Sequence, residues 1–316
     1  MIHLKDILAA RERIDKYIYK TPLELSMHLS TKMSKFYLKL ECQQKVKSFK
    51  IRGALSKITS LSTEERARGI MAVSSGNHGA GVSYAASLFG NIPVKVLVPE
   101  STPQAKVQKM QFYGAQVLLR GRDYNETQQA AEELLKEEKR TFIDPVSDTQ
   151  VIAGQGTIAL EILEENPAVD TVVVPVGGGG LITGIGSAFK QLKPQVRVIG
   201  VQTEACPAMI QSLKEKKWYV EYPIGESICD ALLGGIGAIP YQMAEQCIDD
   251  LIMVKEDDIR LALLELLYNE KVIAEPAGAI GMAAVMANPQ QFAGKATAVI
   301  VSGGNLDKGL LQELII

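Results

Sequence analysis

Residues 172–186 read "VVVPVGGGGLITGIG". A β-branched run leads into Gly177, Gly178, Gly179 and Gly180, and an apolar stretch with helical spacing follows. That order is buried strand, tight turn, helix. Glycines at such a junction let backbone N–H groups approach an anion, and the start of the following helix adds partial positive charge. Phosphate is the natural occupant, although a glycine-rich turn that only packs a helix on a sheet reads the same way. The two common nucleotide fingerprints fail. GxGxxG started at Gly178 needs glycine where Thr183 stands, and the P-loop pattern needs lysine after Gly184, where Ile185 stands.

The same strand–helix order repeats on both sides of this stretch. "GIMAVSS" at 69–75 is strand-like and "NHGAGVSYAASLFG" after it has helical spacing. "VKVLVP", "AQVLLRG" and "VRVIGVQ" read as strands; "TPQAKVQKMQFYG", "YNETQQAAEELLKEEKR" and "VIAGQGTIALEILEEN" read as helices. A helix over roughly 256–270 and a final strand in "ATAVIVSGGN" complete the series. Strands alternating with helices predict βαβ units and mostly parallel sheets. No linker or repeat divides the chain, so composition places no domain boundary.

The 316 residues suffice for one large domain or two ordinary ones, and 47% hydrophobic with 22% charged residues suits a soluble globular chain. A net charge of −2 gives no electrostatic reason to expect nucleic acid. The most apolar window, "TVVVPVGGGGLITGIGSAF", is broken by six glycines and a proline, which argues against a membrane span. The first residues, "MIHLKDILAARERIDKY", are charged throughout and read as an amphipathic helix, not a signal peptide. Cys42, Cys206, Cys229 and Cys247 lie far apart without CxxC spacing, as reduced thiols of a cytoplasmic protein would.

Two hydrolytic readings fail. "AVSSG" at 72–76 approximates a nucleophile elbow, but the histidines are His3, His28 and His78, and that fold needs one late in the chain. HExxH is absent as well. The stretch "KVKSFKIRGA" at 45–54 then stands out. Lys45 and Lys47 read as solvated charges. Lys50, read as a loop lysine, gains weight beside a phosphate cradle that matches no nucleotide motif. Pyridoxal phosphate is a phosphorylated cofactor that is not a nucleotide, and it needs one lysine amine.

"SFKIRGA", "SSGNHG", "VIAGQGTIALEI", "VPVGGGGL", "EPAGA" and "VSGGN" follow one another in the order and spacing of the fold type II pyridoxal-phosphate enzymes. The chain most resembles their threonine/serine dehydratase and serine racemase group, from "TPLELS" at 21–26 to Asn305. The resemblance implies an α/β fold of two open, twisted, mostly parallel sheets with helices on both faces. A large cofactor-binding domain would comprise 1–46 and 146–316, with a small domain, 47–145, inserted. Lys50 resembles the Schiff-base lysine that also removes the Cα proton, with Phe49 beside the cofactor. Gly177, Gly178, Gly179, Gly180 and the Leu181 amide resemble the phosphate loop. Asn77 matches the asparagine at the cofactor's 3′ oxygen, and Ser302 the serine facing the pyridine nitrogen. Ser74, Ser75, Asn77 and His78 match substrate-binding positions, where Ser75 would face Lys50 across the substrate as a second catalytic group. Glu275 is a matched pocket position, though it could equally cap a helix before Pro276; Arg52 could equally be a salt-bridge partner.

The implied reaction is ammonia release from a small β-hydroxy amino acid, L-threonine or L-serine, giving a 2-oxo acid. A serine racemase, a dehydratase of another substrate such as 3-hydroxyaspartate, and a non-catalytic protein that kept the cradle are the rivals. The resemblance also implies a homodimer or homotetramer, with no membrane or nucleic-acid partner. Gln202 and Ala208 in "QTEACPA" stand where acidic metal ligands would be expected, so no metal is expected. "CDALLGG" and "DPVSDTQ" also depart from the group's usual forms and leave the substrate open. The motifs end at Asn305 of 316 residues, which implies no regulatory domain and no feedback inhibition by isoleucine.

Overall fold

Parallel pairing organises the chain. The structure is a computed structural model and describes residues 1–90 and 92–315. Its strands are β1 (Leu23–Leu25), β2 (Lys35–Lys39), β3 (Ile70–Val73), β4 (Val94–Val98), β5 (Gln116–Leu119), β6 (Thr141–Phe142), β7 (Thr171–Pro175), β8 (Arg197–Thr203), β9 (Asp250–Val254) and β10 (Ala296–Ile300). Among the described residues they form a six-stranded sheet, β1-β2-β10-β7-β8-β9, and a four-stranded sheet, β5-β4-β3-β6. Every pair is parallel except β1 with β2. The α/β class with two mostly parallel sheets therefore holds.

The helices are α1 (Leu4–Ile14), α2 (Lys50–Ser60), α3 (Thr63–Arg68), α4 (Asn77–Ser87), α5 (Gln104–Phe112), α6 (Tyr124–Glu138), α7 (Thr149–Glu165), α8 (Gly180–Leu192), α9 (Ala208–Glu215), α10 (Ala238–Cys247), α11 (Glu256–Tyr268), α12 (Pro276–Ala287) and α13 (Lys308–Ile315). Local chemistry starts several of them. Asp148 caps α7 by accepting from the Gln150 and Val151 N–H groups at 2.8 and 3.1 Å. Ser62 and Glu65 form a reciprocal capping box at α3, and Pro276 opens α12, where its missing N–H is no loss. None of these helices is long and apolar enough to cross a membrane.

The central strands of the six-stranded sheet, β7 and β10, are buried on both faces, which is why they read as near-continuous apolar runs. Val172, Val174 and Ile300 pack with Ile182 and Phe189 on one side. Val173, Val299 and Ile199 pack with Leu263 and Ile280 on the other. In the smaller sheet Ile70 and Ala72 face Ile51, Leu55 and Val82, while Met71 and Val73 face Ala131. All four cysteines are free and buried, and burial pushes the Cys42 thiol up to about 12.

A charged cluster sits inside this apolar frame. Arg52, in the first turn of α2, forks its guanidinium onto two carboxylates. Nε and Nη2 donate to Glu41 at 2.8 and 2.7 Å, and Nη1 and Nη2 to Glu161 at 2.6 and 2.9 Å. Lys39 Nζ reaches the same Glu161 at 2.6 Å, and all four side chains are buried. Arg52 is thus the salt-bridge partner that its residue type allowed. Burial disfavours each charge, but the pairing outweighs it for Arg52, which is pushed above its ordinary range, and for Glu161, which is held below. Glu161→Gln would leave Arg52 and Lys39 facing Glu41 alone. We expect a loss of about 3–5 kcal/mol of stability, read as a lowered urea midpoint; an unchanged midpoint would mean the cluster is not a stabilising unit.

Candidate active site

In a parallel sheet, loops that follow neighbouring strands leave from one edge, and ligands bind there. β2, β10 and β7 are adjacent and parallel, with Ile300 beside Lys39 and Val299 beside Val173. The segment leading to Lys50, the "SGGN" segment and the glycine loop therefore emerge side by side. Backbone bonds tie the first two together. Phe49 N–H donates to the Ser302 carbonyl at 3.1 Å, Gly304 N–H to Lys47 at 2.8 Å, and Ser48 bridges Gly303.

Lys50 departs from the sequence reading. It is not a loop residue but the first residue of α2, half-buried, with Phe49 as the N-cap. Its ammonium lies 5.1 Å from the centre of the Phe49 ring. Burial pushes the amine down to about 8, against the opposing pull of the Asp144 and Glu275 charges. Roughly a tenth of this amine is therefore unprotonated at pH 7, far more than of an ordinary lysine, and a nucleophile or proton acceptor requires that form. α4 closes on it from the other side, since Gly81 lies directly against the Lys50 backbone.

The glycine loop joins β7 to α8. Gly179 has φ +94°, and a Cβ there would lie 2.6 Å from Pro240 Cβ, so only glycine suits the position. Gly178 carbonyl accepts from Gly237 N–H at 3.0 Å, which fixes the loop from behind. The first N–H groups of α8, at Gly180 and Leu181, have no intrahelical acceptor and no side-chain cap, which is the donor set an anion needs.

A second uncapped helix start lies at α4. Ser74 Oγ accepts from Gly76 N–H at 3.2 Å, holding the turn that also carries half-buried Ser75. Asn77 and His78 open the helix. The His78 ring is buried with Nε2 2.8 Å from the Ile143 carbonyl, and burial together with the Lys50 charge pushes it down to about 3. The ring is neutral, so Nε2–H donates to that carbonyl, and what His78 offers an anion at this helix start is its backbone N–H.

Asn77 Nδ2 donates to Glu275 Oε1 at 2.6 Å, and Asn77 Oδ1 accepts from Asn305 Nδ2 at 2.6 Å. Glu275 occupies the N-cap position of α12, but its carboxylate makes no cap bond and turns to Asn77 instead. Burial pushes it up to about 7, opposed by the Asn77 hydrogen bond. A side chain on Gly303 would collide with this carboxylate. Ser302 is buried and its hydroxyl donates to the Ala277 carbonyl at 3.2 Å. The contact between Asn305 and Asn77, and the proximity of Asp144 to Lys50, were not read from the sequence. The first was signalled by the final letter of "SGGN"; nothing local signals the second.

A family model described as "Pyridoxal-phosphate dependent enzyme" matches residues 14–304. The chain is 43% identical to an L-threonine ammonia-lyase of Thermotoga maritima, over 100% of this chain and 78% of that protein. It is 42% identical to a catabolic L-threonine dehydratase of Staphylococcus aureus, over 97% of this chain and 90% of that one. The structure of maize serine racemase superposes with a TM-score of 0.92 at 32% identity, covering 99% of this chain and 98% of that one.

Replacing Gly179 separates an anion-binding loop from a packing turn. Gly179→Ala and Gly179→Asp share the backbone strain and the collision with Pro240, but only aspartate brings a carboxylate toward the cradle. We expect both to weaken pyridoxal phosphate binding, and Asp by several kcal/mol more, because an unpaired charge would face an anion. Equal dissociation constants for the two variants, measured by equilibrium dialysis, would leave the loop as a packing turn.

Proposed function

The chain belongs to the pyridoxal-phosphate dependent enzymes, and on that premise we infer that it is a threonine ammonia-lyase converting a small β-hydroxy amino acid to a 2-oxo acid and ammonia. The observation that carries the reading is Lys50, an amine held near neutrality where "SGGN", α4 and the adjacent glycine loop converge. These residues fit the cofactor. The left-handed turn at Gly179 and the uncapped start of α8 suit its phosphate, Asn77 supplies an amide donor, and Lys50 supplies the amine.

When bound, the cofactor supplies an electron-accepting ring conjugated to the substrate nitrogen. Gly177 to Gly180 and the Leu181 amide hold its phosphate, and Phe49, Asn77, Glu275 and Ser302 line the rest of its seat. The start of α4, with Ser74, Ser75, Asn77 and His78, receives the substrate carboxylate. Lys50 Nζ accepts the Cα proton, and the β-hydroxyl leaves. His78 is too weak a base to compete, because burial keeps it neutral. L-Threonine is the leading substrate and L-serine the second. We place the division between lobes at 47–145 and the enzyme as a homo-oligomer in the cytoplasm, a compartment favoured by four buried free thiols.

Lys50 tests the whole reading. In wild type the rate of cofactor capture by the apoprotein should rise about tenfold per pH unit below about 8 and level off above it, because only the unprotonated amine attacks. Lys50→Ala should fold, yet show neither imine absorbance with pyridoxal phosphate nor turnover. Substantial 2-oxo acid release by Lys50→Ala would refute the mechanism.

A racemase activity is the second reading, favoured by Ser75 in the turn before α4 and by the likeness to maize serine racemase. Racemisation needs a proton carrier on each face of the planar carbanion, whereas elimination from L-substrates needs only the Lys50 face. Ser75→Ala should abolish racemisation and D-serine turnover while leaving L-threonine turnover within roughly tenfold, about 1.4 kcal/mol of barrier. Chiral chromatography beside 2-oxo acid release measures both; joint loss of the two activities would overturn the division of labour.

A further inference from the structure

Asn77, Asn305 and Glu275 are joined by hydrogen bonds whose direction carries information. A carboxamide can be turned end for end, and what its neighbours can give or accept decides which end points where. The series begins on α5. Lys109 is half-buried, and its ammonium lies 2.7 Å from Asn305 Oδ1. An ammonium only donates, so it meets the oxygen of Asn305. The Asn305 nitrogen then donates to the Val46 carbonyl at 3.1 Å and to Asn77 Oδ1 at 2.6 Å. The Val46 carbonyl only accepts, so it selects the same orientation from the opposite side. With its oxygen engaged, Asn77 turns its nitrogen toward Glu275 Oε1, 2.6 Å away. Every bond runs in one sense, from ammonium to carboxylate.

We propose that Lys109 is a positioning residue: through Asn305 it fixes the polarity of Asn77, so that Asn77 presents N–H and not C=O to the cofactor. The inference rests on the reading that this site takes pyridoxal phosphate. A donated N–H stabilises the deprotonated ring oxygen of the bound cofactor, and a carbonyl in its place would stabilise the protonated one. The two forms absorb in different bands, visible and near-ultraviolet. Lys109 adds a charge-assisted bond to the orientation that Val46 already favours, and it ties that orientation to α5. Its ammonium is pushed down by burial, while the Glu275 charge pulls it up and the Lys47 charge pushes it down further.

The test uses the cofactor-loaded enzyme and three variants, each checked for folding by circular dichroism. Lys109→Arg keeps a donor-only cation, so the band ratio should stay as in wild type. Lys109→Met keeps the stem and loses the donor. The cofactor dissociation constant should rise about tenfold, the size of one charge-assisted hydrogen bond, and absorbance should move toward the near-ultraviolet band. Asn305→Asp has acceptors only and cannot donate to Asn77, so it should give the same spectral shift with Lys109 intact. Adding Lys109→Met to it should shift the spectrum no further. An unshifted spectrum in Asn305→Asp, or equal behaviour of Lys109→Arg and Lys109→Met, would overturn the proposal. Should Lys109→Met fail to fold, Asn305→Asp decides. Failure of borohydride to fix pyridoxal phosphate covalently to the wild-type protein would instead refute the cofactor reading itself, so the two failures are distinguishable.

Discussion

The fork of Arg52 onto Glu41 and Glu161 is the constraint from which the site is built. Three pieces of chain meet there: the first turn of α2, the loop after β2, and α7. A lysine at the start of a helix is normally free to swing, because a first turn has few bonds of its own. Here the guanidinium, two residues on, holds that turn from below with four hydrogen bonds to carboxylates. Two cations against two carboxylates leave the cluster balanced, so it stays buried without imposing a net field on Lys50. A buried ion set is weak evidence of net stability compared with apolar packing. Its geometric content is larger, since a planar fork on two carboxylates admits little rotation.

One physical cause, removal from water, then tunes the site in opposite directions. It lowers the basicity of Lys50 and raises the pKa of Glu275, so both groups approach neutrality from opposite sides. The same cause takes His78 far below its ordinary range and out of proton transfer. The outcome is a single amine able to exchange a proton near physiological pH and a carboxyl beside it that holds an amide in place.

The sequence was most legible where one residue type does one job. The run Val172–Val176 could only be a buried strand, and Gly177 to Gly180 could only be a turn that approaches something closely. The helices α6, α7 and α8 followed from their periodicity. β2 and β9 were not read, because Lys35 and Lys39 in one and Asp250 in the other break the apolar pattern, and their burial comes from neighbours far along the chain. α12 was not read either: "PAGAIGMAAVMA" is apolar all round, so it has no helical stripe. The motif singles out Lys50 but not its place at a helix start, since α2 begins on it without a capping side chain. Lys109 carried no signal at all. On paper it is one more lysine on an exposed helix, and only the fold brings Asn305 to it.

The strand order has a consequence for how the molecule comes into being. β10, the last strand in chain order among the described residues, lies between β2 and β7. While the ribosome is still making residue 290, the first hairpin has no edge to dock on, and β7 has an open flank. The separation of Lys35 from Ala296 makes this pairing among the most non-local in the fold, the kind that closes slowly. The smaller sheet, whose strands all fall between 70 and 142, can assemble long before. Competence to hold the cofactor therefore waits on β10, which completes the edge from which Lys50 and the glycine loop both emerge.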